Sequence, residues 1–266
     1  MDGVLPPPIR PLTSRLLDLA VFGGVVLLLA VTYQAVEMWR LGLVFSNSSK
    51  IGNFVLGFLH VNSVPPRLWV LFITAMGVTL EIALWGTALA IVLAIPLGLL
   101  AARNVTPVWI QQPVRRLLDL IRSVPDIVIG YIFVVAVGLG PFAGVVALAL
   151  NTGAVLAKLF SEAVESIDPG PVEGVRAVGG SRLHEVVWGV LPQVGPLWTS
   201  YALYRFEANA RSATVLGLIG AGGIGQLLID SLNGYAYDQV AAIIVVIIIA
   251  VTMIDLLSQA LRSRLL

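Results

Sequence analysis

Apolar residues in this chain gather into long runs separated by short polar stretches, the pattern of bilayer-crossing segments rather than of half-buried helices. The first run, from about Leu16 to Val36, is preceded by Arg10 and Arg15 and followed by Trp39. It is longer than the apolar region of a signal peptide and lacks a small-residue cleavage site, so a retained helix is expected. Residues 37–67, with Asn47, Ser48, Ser49, Pro65 and Pro66, read as a polar external loop that includes a solvated His60. Leu68 to Ala102 as a single helix would extend roughly 50 Å, more than a bilayer needs. The expectation is an interfacial elbow near 66–78 leading into a span over Thr79–Ala102, with Glu81 near the membrane end. Arg103, Arg115, Arg116 and Arg122 then mark a basic connection. A short third span over Pro125–Leu139 turns at Gly140-Pro141 into a fourth ending near Phe160. A fifth is expected from Pro196 to about Leu216 and a sixth over Gln239–Leu261.

The reading is an all-α integral membrane protein of about six transmembrane helices, multi-pass, with both termini cytoplasmic. That topology gathers Arg103, Arg115, Arg116, Arg122, Arg176, Arg182, Arg262 and Arg264 on the inside, together with Arg10 and Arg15. It leaves Arg40, Lys50 and Arg67 outside, as the positive-inside rule requires. Composition agrees: 58% of the 266 residues are hydrophobic and 12% charged, and the mean hydropathy is +0.95, which leaves no soluble domain of useful size. Without cysteine there is no thiol chemistry or disulfide, and two separated histidines argue against a metal site. A net charge of +1 gives no reason to expect nucleic acid.

Between the apolar runs lies a polar island, residues 168–192. Asp168 and Pro169 suit an N-cap and a first-turn proline. Gly179-Gly180 would end the resulting helix, and Ser181 would cap a second one running to Pro192. Glu173, Gly179, Leu191 and Pro192 resemble the EAA loop of ABC-importer permeases, where Glu, Gly and a terminal Leu-Pro recur at this spacing. Gly174, Val175 and Gly189 depart from the usual residues. The resemblance implies that these four residues dock a cytoplasmic ATPase; the plainer alternative is an amphipathic loop helix whose glycines make a turn.

The fifth helix carries unusual chemistry for a membrane segment. Charges at depth are costly unless paired or facing a polar path. Tyr201, Arg205 and Ser212 fall on one stripe and Glu207 and Arg211 on another, and Glu207 and Arg211 are spaced to pair. Such a helix suits the passage of an oxyanion, since the planar guanidinium fork matches its geometry. A structural network between helices is the alternative. After this helix, Gly220, Gly222 and Gly225, with Gly223 between them, spell G-x-G-x-x-G. A dinucleotide site needs a strand before the glycines, whereas a membrane helix is expected here, so a compact glycine-permitted turn is the better reading, and the resemblance to importer permeases implies that it lies at the outer gate.

The runs YRFEANARSATVLGLIGAGGIG (204–225), SVPDIVIG (123–130) and EIALWGTALAIVLAIPLGLLAARN (81–104) are similar to the phosphonate-importer permease family. This resemblance implies a type I ABC importer permease in a bacterial inner membrane, with 1–67 as an N-terminal helix and external loop and 68–266 as the transport core. It implies a second copy of the permease, two ATPase subunits that bind ATP and Mg, an external substrate-binding protein, and surrounding membrane lipid. The chain itself is expected to hold no cofactor and to catalyse nothing; it has no G-x-x-x-x-G-K-[ST] loop. Phosphonate, phosphite and phosphate are the substrates implied. A methionine-like importer is a rival within transport, and a membrane enzyme using a dinucleotide a more distant one.

Overall fold

A computed structural model describes residues 12–57 and 64–263, so Arg10, His60 and Arg264 lie outside the described residues. The chain divides into two units, Met1–Leu56 and Gly57–Leu266. In the first, α1 (Leu12–Ala35) is a 24-residue helix whose apolar side chains are exposed throughout, the condition of a helix whose solvent is lipid. Glu37, with a left-handed φ of 51°, ends it. A 3-10 turn (Met38–Arg40), α2 (Leu41–Ser46) and α3 (Ser48–Gly57) follow. The described part of the expected open loop is therefore largely helical.

The second unit begins with α4 (Pro66–Ala101), an unbroken 36-residue helix. The expected elbow is absent. Phe72 and Met76, within the stretch assigned to it, are buried in a cluster with Ile224, Ile243 and Val246, and this packing holds the segment in line with the rest of the helix. Glu81 consequently sits mid-helix and exposed, not near a helix end. Further along, Ala83, Gly86, Thr87, Ala90 and Ala94 form a buried small-residue stripe. It lets α4 lie closely against α7 (Pro141–Glu165): a Cβ on Gly86 would stand 2.8 Å from the Leu148 Cβ.

The basic connection is itself a helix, α5 (Val108–Ser123), which meets α6 (Asp126–Val137) at an 88° bend. Pro125 causes the break by holding Val124 extended, at ψ 125°. Beyond α7 come α8 (Pro169–Ala177), the single turn α9 (Arg182–His184), a π-helical segment Glu185–Val190 and α10 (Leu191–Gly217). Last are α11 (Ile224–Asn233) and α12 (Tyr237–Arg262). The fifth helix thus starts at Leu191, not at Pro196, and Pro192 opens it where a missing N–H costs nothing.

Among the described residues there is no strand. Within those residues four helices, α1, α4, α7 and α12, are long and apolar enough to cross a membrane, and the bent α5–α6 pair makes a fifth span if taken as one. At 27 residues α10 has the length as well, but Arg205, Glu207 and Arg211 lower its hydropathy. The most enclosed of the four is α7, which packs against α4, α5, α6 and α10.

Candidate functional site

The polar island folds as a hairpin. Asp168 caps α8, its Oδ1 accepting from the Gly170 N–H at 2.9 Å. Glu173 lies in the second turn of α8. Gly179 has φ +83°, which a side chain would strain, and a Cβ there would meet nothing within 4 Å. The Arg176 guanidinium grips Glu185 through Nε and Nη2 at 2.9 and 3.0 Å. This ion pair raises the Arg176 pKa, and the same hydrogen bond to Arg176 holds the Glu185 carboxyl below its ordinary value. Ser181 caps the second arm through hydrogen bonds with the exposed His184. Gly189, a departure from the usual loop pattern, lets the arms touch: a Cβ there would stand 3.0 Å from the Val172 Cα. Leu191 and Pro192 do not end the hairpin as expected; they begin α10, so the hairpin and the membrane helix are mechanically continuous.

At its base, Val190 and Val194 join a buried cluster containing Phe160 and Trp198, whose rings stack at 4.3 Å. Glu165 fixes the neighbouring turn, accepting from the Arg103 backbone N–H at 2.8 Å and from the Arg115 guanidinium. Arg115 Nε donates to the Ala101 carbonyl at 2.8 Å. Between this turn and the hairpin opens a cleft of about 650 Å³, lined among others by Arg103, Asn104, Glu173, Arg176, Arg182 and Glu185.

Along α10 the charges sort into two groups. Glu207, with only 13% of its side chain exposed, is ion-paired to Arg211 on its own helix and to Arg262 of α12 at 3.2 Å. Arg211 also reaches Asp255 at 3.6 Å. On another face Arg205 has no carboxylate within ion-pair distance among the described residues. Its Nη2 donates to Thr152 Oγ1 at 3.4 Å, and its buried Nε has no partner. Tyr201 and Arg205 are half-buried, as is Ser212, whose hydroxyl donates to Asp126 Oδ2 at 2.9 Å. Asp126, Arg211, Ser212 and Val215 line a smaller cleft of about 320 Å³.

The glycine-rich turn follows α10 directly. Gly220, Gly222 and Gly223 have φ of +90°, +79° and +75°. Gly220 accepts at its carbonyl from Gly140 N–H, and Thr79 Oγ1 accepts from the buried Ile224 N–H, both at 2.9 Å. A Cβ on Gly225 would fall 2.0 Å from the Thr214 carbonyl oxygen. These glycines are spent on packing helix ends together, and a helix, not a strand, precedes them; the dinucleotide reading is dropped.

Comparison with known proteins fits this architecture. Residues 94–266 match the family described as binding-protein-dependent transport system inner membrane component. The chain belongs to that family. It is a permease subunit of an ABC importer, a multi-pass inner-membrane protein, and not an enzyme. It is 44% identical over 211 residues to the phosphate-import permease protein PhnE of Mycolicibacterium smegmatis, covering 78% of this chain but only 40% of that longer protein. It is 39% identical over 253 residues to the phosphite transport system permease protein PtxC of Stutzerimonas stutzeri, covering 93% of this chain and 88% of the relative. In fold it is similar to the inward-facing MetNI methionine ABC transporter, with TM-score 0.68 at 20% identity, over 76% of this chain and all of that one. Permeases of this family work with ATPase subunits and a substrate-binding protein.

Several residues of the site escape sequence reasoning. Thr87 and Thr152 are polar residues inside apolar runs, a signal that was available, whereas Asn209 stands among the charged residues of the fifth helix that the sequence does single out. Glu165 and Asp255 are meaningful only through partners distant in sequence.

Proposed function

We propose that this permease imports a phosphorus oxyanion, phosphonate, phosphite or phosphate, and that Arg205 is the cation the substrate meets on its way through. The observation carrying the proposal is that Arg205 is the α10 arginine with no carboxylate within ion-pair distance, Asp126 acting on it only from further away, and that donors are left over in a largely buried setting. Such a group is costly unless something anionic visits it. Glu207 and Arg211 bound the same path, their charges balanced by Asp255 and Arg262, while Tyr201 and Ser212 line it.

In this reading two copies of the chain form the pathway, and both termini are cytoplasmic. Residues 68–266 form the transport core and 1–67 an added helix and external segment. The 168–192 hairpin carries Glu173 and Gly179 into an ATPase subunit that holds ATP and Mg, and its continuity with α10 through Leu191 and Pro192 transmits nucleotide-driven closure to the arginine-bearing helix. The glycine turn at Gly220, Gly222, Gly223 and Gly225 forms the outer gate beneath an external binding protein. Likeness to a methionine importer is one of fold, and does not bear on the cargo.

Uptake into proteoliposomes containing the ATPase subunits and loaded binding protein tests the reading. Arg205→Gln should lower uptake on the order of tenfold or more, because a charge-assisted hydrogen bond is worth about 1.5–3 kcal/mol, while the ATPase subunits stay bound. Wild-type uptake by the variant would remove Arg205 from the path.

A further inference from the structure

Arg205 does not stand alone. Its Nη2 donates to Thr152 Oγ1 at 3.4 Å; the Thr152 hydroxyl donates to Asn209 Oδ1 at 2.8 Å; Asn209 Nδ2 donates to Thr87 Oγ1 at 2.8 Å; and the Thr87 hydroxyl donates to the Ala83 carbonyl at 2.6 Å. The chain crosses from α10 to α7, back to α10 and on to α4. Thr152 and Asn209 are 1% exposed and Thr87 4%.

Its direction is fixed. Thr87 has given its single proton to a helix carbonyl, so it can only accept from Asn209, which sets the Asn209 amide with its nitrogen toward Thr87 and its oxygen toward Thr152. Thr152 must then donate to that oxygen, and its lone pair is left to receive Arg205. Both hydroxyl protons are used, one Asn209 N–H is given to Thr87, and the free acceptor capacity of Thr152 points at the guanidinium. The Thr87–Asn209–Thr152 part of this buried network is stiff, since each of these groups is oriented by the next.

We infer that Thr152 and Asn209 are positioning residues for Arg205: they hold one edge of its guanidinium so that the remaining N–H groups face the pathway as a preformed fork for a tetrahedral phosphorus oxyanion. This rests on the reading of Arg205 as the substrate-facing cation. Neither residue touches the substrate in this arrangement; both act through the arginine.

The test is a double-mutant cycle in the complete transporter, with methylphosphonate, phosphite and inorganic phosphate as probes delivered by the binding protein. Arg205→Lys serves as the second background because it keeps the charge and loses the fork. Thr152→Val, which keeps shape and removes the acceptor, should lower uptake about tenfold when Arg205 is present, and Thr152→Ser should restore it. In the Arg205→Lys background Thr152→Val should change uptake less than about twofold, since the geometry it protects is already gone. Asn209→Leu should behave as Thr152→Val does, through the same dependence on Arg205. Equal losses from Thr152→Val in both backgrounds, or no loss in either, would overturn the inference while leaving Arg205 in the path. Normal uptake by both Arg205→Gln and Arg205→Lys would instead overturn the pathway reading and this inference with it, and the single variants alone would reveal that.

Discussion

Thr79 shows how one side chain holds two distant parts of the chain together. Its hydroxyl donates to the Ala75 carbonyl at 3.0 Å and accepts from the Ile224 backbone N–H at 2.9 Å, so α4 supplies the missing partner for the first N–H of α11. Thr79→Val should leave that N–H buried and unpaired, at a cost of about 1–3 kcal/mol, and Thr79→Ser should cost little; thermal unfolding in detergent separates the two. Gly225→Ala tests the same junction sterically. Its Cβ would collide with the Thr214 carbonyl oxygen, and backbone cannot step aside as a flexible side chain can, so a loss of about 1–3 kcal/mol is expected from overpacking, seen as a lower unfolding temperature. Residues of this kind were visible in the sequence only as types. Four close glycines announced a turn, but nothing in their spacing told that Thr79, some 145 positions earlier, caps the helix they introduce.

At the scale of elements, the hairpin of α8 and the π-helical segment was legible in outline because its signals are local: an Asp-Pro start, a Gly-Gly stop and a Ser cap act within a few residues of one another. The junction beyond it was misjudged. Pro192 looked like a terminator, yet a proline in the first turn of a helix is well accommodated, and the chain runs on into α10. The elbow before residue 79 failed for a different reason. Helix length was judged against bilayer thickness alone, whereas burial of Phe72 and Met76 against α11 and α12 keeps α4 continuous through residues 66–78. The hairpin also carries a pH prediction. With the Glu185 carboxyl lowered by its hydrogen bond to Arg176, the ion pair contributes fully above the ordinary glutamate value and is lost as pH falls through the lowered one. Amide exchange across residues 169–190, corrected for its intrinsic pH dependence, should therefore rise as the medium is acidified below the ordinary glutamate range. Glu185→Gln should raise exchange at neutral pH and flatten the response.

For the whole molecule, the class and the multi-pass character were legible because hydropathy over long windows does not depend on tertiary detail. The spans themselves were less so, since α10 is too charged and α6 too short to stand alone by composition. The proposed cytoplasmic placement of the hairpin is open to a direct check, helped by the absence of cysteine from the sequence. Val178, 87% exposed at the hairpin tip, replaced as Val178→Cys, should react with an impermeant maleimide in inside-out vesicles and stay unlabelled in intact spheroplasts; the reverse would invert the topology. The claim on which the rest depends is that ATP hydrolysed by ATPase subunits docked on the hairpin drives a phosphorus oxyanion along α10. ATP hydrolysis by the complex in lipid, with its binding protein empty or loaded in turn with methylphosphonate, phosphite or phosphate, measures this most directly. The account predicts that at least one loaded form stimulates hydrolysis above the empty one. Hydrolysis indifferent to all three would contradict it.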